Sequence, residues 1–491
     1  MNFISSLKKK LSNVKRKDEQ FTYFLGFLFA LSTGDMSSVE IVKTTGSANY
    51  GRYSETFKEI FRLGVGWGYG LTKSCEAIAR KLTRSEEENF KQHIIKLAQV
   101  FRLGDNLANF FKAELDVQIH NYSIQYERNL ETQKLFLEMY YTLMSTASVM
   151  IAANSMLTML MGAGDSESIM IMAVIGIVIG MGAFALMMYV LFPRDSLVME
   201  TTVTKKIRIW HFISLSIGAS IGLVLFVTNA LPIGLIMAIA TMPLFVPGYL
   251  YAQLETKIKK LNEWYPSFIR HFGQIYATIS SMGQALDSVL RSDFGSLTKY
   301  GIALKNRIKN GIDPEVALDL FSKEVGSSVI ANANTIIAKC VSKGSDMNLI
   351  GSKVAEITER MTELRLKREQ TSKTFETIII VLHVLSLAIF GLMNKLSAIF
   401  ENILADLPTS NMMLSFHPVD QNFMQIMLPI LVLATSVINA FAIKIAQGGL
   451  YKTIWFHIAL LNLIGALTVY GTEIAISKFL ETGLIQGLAP V

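Results

Sequence analysis

Gly344-Ser345-Asp346-Met347-Asn348-Leu349 opens a charged helical stretch, Lys353 to Glu376, which runs into an apolar span beginning near residue 377. Gly104-Asp105-Asn106-Leu107-Ala108-Asn109 does the same through Lys112 to Glu138, and the apolar span begins near residue 139. The order is identical in both places: glycine, short polar residue, charged helix, membrane-length apolar run. Working outward, each stretch is preceded by further glycine-led helix starts. The first copy has Gly34-Asp35-Met36-Ser37 and Gly70-Leu71-Thr72-Lys73, and the second has Gly283-Gln284-Ala285-Leu286 and Gly311-Ile312-Asp313-Pro314. Gly70 lies 34 residues before Gly104, and Gly311 lies 33 before Gly344. An internal repeat sets the architecture before any motif does.

The physics of each start is simple. A helix ends at a residue of positive φ, which Gly adopts cheaply, and a short polar side chain caps the next one. Asp313-Pro314 is the clearest case, a capping Asp with Pro at the first helical position. In the last helix of the second copy, Val354, Ile357, Met361 and Leu364 recur at helical spacing. These features predict an all-α polytopic membrane protein with two repeated helical-bundle domains.

Half of the residues are apolar and only 17% are charged, a membrane-protein balance. Seven stretches are long enough to span: roughly 139–161, 169–192, 209–229, 232–252, 377–399, 424–446 and 453–475. The predicted organisation is a basic segment 1–20, helical domain 21–138, four spans in 139–252, helical domain 253–376, and three spans in 377–491. No cleavable signal peptide is expected, because the first twenty residues are basic and polar. In that segment Phe3, Ile4, Leu7, Leu11 and Val14 share one helical face among lysines. An interfacial helix on anionic lipid and a frayed basic tail are both compatible with it.

Charge orients the chain. The loop 193–208 carries Arg194, Lys205, Lys206 and Arg208, and Lys444 and Lys452 flank the loop after the sixth span. The loops 162–168 and 400–423 carry only acidic charges, Asp165, Glu167, Glu401, Asp406 and Asp420. The positive-inside rule then places the N-terminus and both helical domains in the cytoplasm and the C-terminus outside. The two copies are parallel, unlike the inverted repeats of many transporters.

Catalytic signatures are missing. There is no Walker A loop, so nucleotide hydrolysis by that route is not expected, and there is no H-E-x-x-H, no G-x-S-x-G and no paired-cysteine metal site that would call for a cofactor. Cys75 and Cys340 do not make a disulfide framework. Gly162-Ala163-Gly164-Asp165 matches the G-x-G-D string of intramembrane aspartyl proteases, but no span supplies a second aspartate. His383, Lys395, His457 and Glu473 are the ionisable groups near membrane depth, fewer than a transporter would need. Gly176-x-x-x-Gly180 and Ser214-x-x-x-Gly218-x-x-x-Gly222 are helix-packing patterns, within one chain or between two.

A tandem helical domain with each copy ending in a span resembles the type II secretion F domain, over residues 21–161 and 265–399. This is the platform family of type IV pilus, type II secretion and archaellum machines. The extra hairpin between the copies and the two added spans look like its archaeal branch. The resemblance implies a non-enzymatic platform between a hexameric secretion ATPase and pilin or archaellin subunits, and a homodimer. No nucleic-acid partner is implied. Residues 253–376 hold eighteen Lys/Arg against fourteen Asp/Glu, and Lys299, Lys305, Arg307 and Lys309 form a basic run. That run is the candidate ATPase-docking patch, with membrane lipid or plain solvent as its other readings. A small-molecule transporter with internal repeats is the competing function.

Overall fold

The computed structural model describes residues 17–82, 88–161, 166–192, 197–228, 231–405 and 421–487. The chain is helical throughout, with no strand among the described residues. Among the described residues seven helices are long and apolar enough to cross a membrane. The protein is thus an all-α polytopic membrane protein. The G-x-G-D string, the N-terminal amphipathic stretch and Arg194 lie outside the described residues.

The chain divides into two compact units. The polar unit comprises Met1–Asn129, Pro193–Thr201 and Glu255–Lys367, and the apolar unit comprises Leu130–Phe192, Thr202–Leu254 and Arg368–Val491.

In the polar unit the repeat is visible helix by helix. The first copy runs α1 (Lys17–Ser32), α2 (Ser38–Ser47), α3 (Arg52–Phe61), α4 (Leu71–Lys81), α5 (Glu88–Leu103) and α6 (Leu107–Met161). Four helices of the apolar unit follow: α7 (Ser166–Leu191), α8 (Thr202–Thr228), α9 (Ile233–Thr241) and the start of α10 (Phe245–Ile279). The second copy continues from α10 with α11 (Met282–Val289), α12 (Thr298–Lys309), α13 (Pro314–Val325), α14 (Ser328–Lys343) and α15 (Met347–Ala405). The chain ends in α16 (Gln421–Gln447) and α17 (Ile454–Gly487). The fifth helix of each copy has 16 residues, and the sixth has 55 in one copy and 59 in the other.

The caps repeat too. Asn106 Oδ1 accepts from Asn109 N at 3.0 Å, and Asp346 Oδ1 accepts from Asn348 N and Leu349 N, each at 3.1 Å. Asp313 Oδ1 accepts from Glu315 N at 2.9 Å and Val316 N at 3.3 Å. Gly70, Gly104, Gly311 and Gly344 all have φ between +65° and +80°, the conformation that makes glycine the residue of choice there. Gly283 departs from the expected role. It is the second residue of α11, and the chain reverses at Ser280, whose φ is 56°.

The two copies share one core. Phe24, Phe57 and Ile94 of the first belong to the same buried cluster as Phe321, Ile336 and Ile357 of the second. Its centre is α1, which is apolar on every side and buried from Phe21 to Leu31. A Cβ at Gly26 would meet Ile336 Cδ1 at 3.2 Å and Ile357 Cδ1 at 3.1 Å, so α1 lies tight against α14 and α15. The unit's parts of α6 and α15 are bridged by Lys353 Nζ–Asp116 at 2.6 Å, Arg360 Nε–Ser123 Oγ at 2.7 Å and Lys367 Nζ–Glu127 at 2.8 Å. The separations of 237, 237 and 240 residues advance together, so the two helices run parallel with equivalent residues opposed. A third stretch of chain joins this unit. Ser328 N donates to Leu197 O at 3.1 Å and Met199 N to Gly326 O at 2.9 Å, which ties the 197–201 segment to the turn before α14.

In the apolar unit Ser148 of α6 is hydrogen-bonded to Ser386 of α15. The α8–α9 hairpin closes on small residues. Gly218 lies so near Ala240 O that no Cβ fits, and a Cβ at Gly222 would meet Ala240 Cβ at 3.0 Å. Gly248 of α10 abuts the backbone of Phe456 in the same way.

Candidate interaction surfaces

The basic run of α12 is largely neutralised by its own fold. Lys305 and Lys309 both bind Asp287 of α11, at 3.1 and 3.0 Å, and Arg307 grips both oxygens of Glu324 on α13. Lys309 and Lys305 hold the Asp287 carboxyl below its ordinary range. Lys299 is exposed and lies over the Tyr300 ring, 4.9 Å from its centroid. Such exposed pairs contribute little to stability and exchange readily. The run is therefore a mixed-charge face, not a bare cationic one.

The packing glycines divide. Gly218 and Gly222 are used inside the chain, whereas a methyl group placed on Gly176 or Gly180 of α7 would meet nothing within 4 Å. Their face of α7 is open to lipid or to a second chain.

The most exposed aromatic groups of the polar unit lie outside every motif read from the sequence. Arg62–Gly66 forms one π-helical turn at the end of α3, and Trp67, Gly68, Tyr69 and Gly70 lead from it into α4. Trp67 is 66% exposed, Tyr69 57% and Val65 45%. The turn is tied down by its backbone: Trp67 N donates to Arg62 O at 3.1 Å, Tyr69 N to Leu63 O at 3.3 Å and Gly70 N to Gly64 O at 3.0 Å. Leu103, 73% exposed, ends α5. The Arg102–Glu76 pair sets the end of α5 beside α4, so Leu103 belongs to the same end of the bundle. π-Helical turns cluster at functional positions, and large exposed apolar groups mark contact sites.

In the apolar unit several polar groups are buried and bonded. Arg368, 1% exposed, donates from Nε to Ala446 O at 3.0 Å and from Nη2 to Ile445 O at 2.9 Å. Gln133 Nε2 donates to the same Ala446 oxygen at 2.7 Å. Glu376 accepts from Gln447 Nε2 at 2.8 Å and lies 3.4 Å from His457 Nδ1. His383 contacts Leu461 O at 3.2 Å and Asn439 Nδ2 at 3.2 Å, and Asn439 Oδ1 accepts from Tyr140 at 2.8 Å. Glu473 accepts from Asn394 Nδ2 at 2.8 Å. The cavity beside His383, Ser148 and Ser386 measures about 20 Å³, room for one water. Among the described residues no group of His, Cys, Asp or Glu is arranged to hold a metal. Both cysteines are buried thiols, and burial pushes Cys75 up to about 12.

With this duplicated, seven-span layout in view, the chain can be set beside known proteins. It is similar, over almost its whole length, to archaeal flagella accessory proteins. It is 22% identical to flagella accessory protein J of Methanococcus voltae, covering 96% of this chain and 88% of the relative. It is 23% identical to flagella accessory protein J of Methanocaldococcus jannaschii, covering 96% and 87%. No family model matches the chain, and no solved structure matches it.

Proposed function

We propose that this protein is the membrane platform of an archaellum or a closely related type IV filament machine. In this reading it is not an enzyme. It couples a hexameric cytoplasmic secretion ATPase to the assembly of archaellin or pilin subunits, with both helical copies cytoplasmic and the C-terminus outside. The observation that carries the reading is end-to-end similarity to flagella accessory proteins, spans and polar segments included.

The architecture suits such a part. Helices α6, α10 and α15 each contribute residues to both units, so the two are covalently joined at three helices. The apolar unit favours this over solute transport, because Tyr140, Asn439 and His383 are bonded to one another and the cavity beside His383 holds no more than a water. Lys299, Lys305, Arg307 and Lys309 would serve encounter with the ATPase, since charge complementarity acts chiefly on association rate.

The test is deletion of the gene with complementation. Loss of filaments and retention of the ATPase by the purified wild-type protein support the platform. Normal filaments in the deletion strain reject it. Reversal of all four charges of the basic run should slow ATPase association at low salt, and unchanged association and filament assembly would remove that run from the docking surface.

A further inference from the structure

Where the two copies meet inside the polar unit, they line a cavity of about 730 Å³. Gln20 and Tyr23 of α1 and Tyr50, just before α3, come from the first copy. Asp313, the cap of α13, Glu315 and Asp319 of that helix and Asn334 of α14 come from the second. Met199, from the 197–201 segment, adds a third stretch of chain. A volume of this size is typical of small-molecule sites.

The buried wall holds unused hydrogen-bonding capacity. Asn334 is satisfied on both sides: its Oδ1 accepts from Tyr265 OH at 2.7 Å and its Nδ2 donates to Ser322 Oγ at 2.8 Å. Tyr23 and Tyr50 differ. They are 1% and 5% exposed, and neither phenol oxygen has a hydrogen-bond partner. Buried hydroxyls in folded chains are normally bonded. Burial pushes both phenols up, with Glu19 adding to the effect on Tyr23, so both stay neutral near pH 7 and can accept as well as donate.

The exposed wall sets the charge. Asp313, Glu315 and Asp319 line it, and no Lys or Arg does so among the described residues. Glu315 pairs with Lys339 at 2.6 Å, Asp319 pairs with Lys323 at 2.6 Å, and Asp313 uses Oδ1 in its cap. Three carboxylates against two lysines leave an acidic excess. Exposed pairs of this kind contribute little and exchange readily. An incoming cation can replace a lysine there, whereas a phosphate would face carboxylates without a cation on the wall.

We propose that this cavity is a binding site for an organic ammonium or guanidinium, with Asp313, Glu315 and Asp319 supplying charge and Tyr23 and Tyr50 supplying acceptors. A polyamine fits the description, because several ammonium groups on one flexible chain can engage separated acceptors. The same chemistry has a second source in the chain itself. Lys15 and Arg16 precede α1, and Gln20, in the first turn of that helix, lines the cavity. A tethered group acts at high effective concentration.

The experiment titrates spermidine calorimetrically into the full chain in phosphatidylcholine nanodiscs. Glu315→Gln with Asp319→Asn should weaken binding about tenfold, since charge-assisted bonds are lost. Tyr23→Phe with Tyr50→Phe should weaken it about fivefold, the effect of losing neutral hydrogen bonds. The melting temperature of the phenylalanine variant should not fall, because the hydroxyls removed have no partner in the fold. Replacing Lys8, Lys9, Lys10, Lys15 and Arg16 by Gln separates the sources. Equal affinity with and without these charges assigns the site to a free polyamine. A gain of about tenfold or more on their removal assigns it to the chain's own basic segment. No binding to either form overturns the proposal, and so does binding that either pair of wall substitutions leaves unchanged.

Discussion

Arg368 Nη2 donates to Ile445 O across 2.9 Å, at the carbonyl end of α16. With the bond to Ala446 O, a buried guanidinium closes a helix C-terminus whose last carbonyls have no partner inside the helix. Gly448 completes the arrangement, for its φ is +70° and a Cβ there would meet Arg368 Cζ at 2.8 Å. Arg368→Met should cost about 1–3 kcal/mol, because Ile445 O loses its charged donor while Ala446 O keeps Gln133 Nε2. Arg368→Lys should recover only part of this, since an ammonium cannot reproduce the planar fork. Thermal unfolding in detergent measures both.

The glycines of α7 and α8 should separate on mutation. Gly218→Ala forces a methyl group into Ala240 O and should destabilise by about 1–3 kcal/mol. Gly176→Ala should leave monomer stability unchanged, because the position is open. If α7 joins two chains, Gly176→Leu with Gly180→Leu lowers the dimer fraction seen by light scattering. An unchanged mass distribution takes α7 out of any dimer contact.

His93 gives the polar unit a pH dependence with a defined sign. Burial holds its pKa below 6.5, although Glu114 Oε2 lies 3.1 Å from Nδ1 and Lys96 Nζ binds the same carboxylate at 2.7 Å. Its Nε2 is buried without a hydrogen-bond partner, and the Phe21 and Phe110 rings lie 5.9 and 5.5 Å from the imidazole. Above pH 6.5 the group is neutral in folded and unfolded chains and adds no slope. As pH falls below 6.5 the unfolded chain takes up the proton first, so stability declines. His93→Gln should flatten this limb in denaturant titrations at successive pH values.

The cap of α13 should behave as an ordinary N-cap. Asp313→Ala removes the acceptor of two backbone N–H groups and should cost about 1 kcal/mol, whereas Asp313→Asn should cost far less. The shift in denaturation midpoint reads it.

What a sequence can show depends on how local each feature is. Asp313-Pro314 is a cap in the structure because its partners, Glu315 N and Val316 N, are two and three residues away. The spans are legible because length and hydropathy alone define them. Gly283 misleads because a chain reversal can use Ser280 at positive φ when the surrounding packing requires it. The basic run does not read as neutralised, since Asp287 lies 18 residues from Lys305 and Glu324 17 from Arg307. Arg368 reads as one more charge on a solvated helix, and only the carbonyls of α16, 77 and 78 residues later, make it buried. Trp67 and Tyr69 alternate with glycines, which breaks helical periodicity, and that Gly-aromatic alternation is the available signal.

The parallel pairing of the two copies also bears on how the chain is made. Ala30 and Ser345 meet across 315 residues, and Glu19 and Arg365 across 346. The apolar helix α1 is synthesised some 300 residues before α14 and α15, which pack against it. At 5–20 residues per second that interval lasts roughly 15–60 s, during which four spans must be inserted. Nascent chains that stop short of α14 therefore leave open the face of α1 that packs on Ile336 and Ile357, while Tyr53, Phe57 and Phe90 can cover its other side. Such non-local contacts predict slow folding of the polar unit.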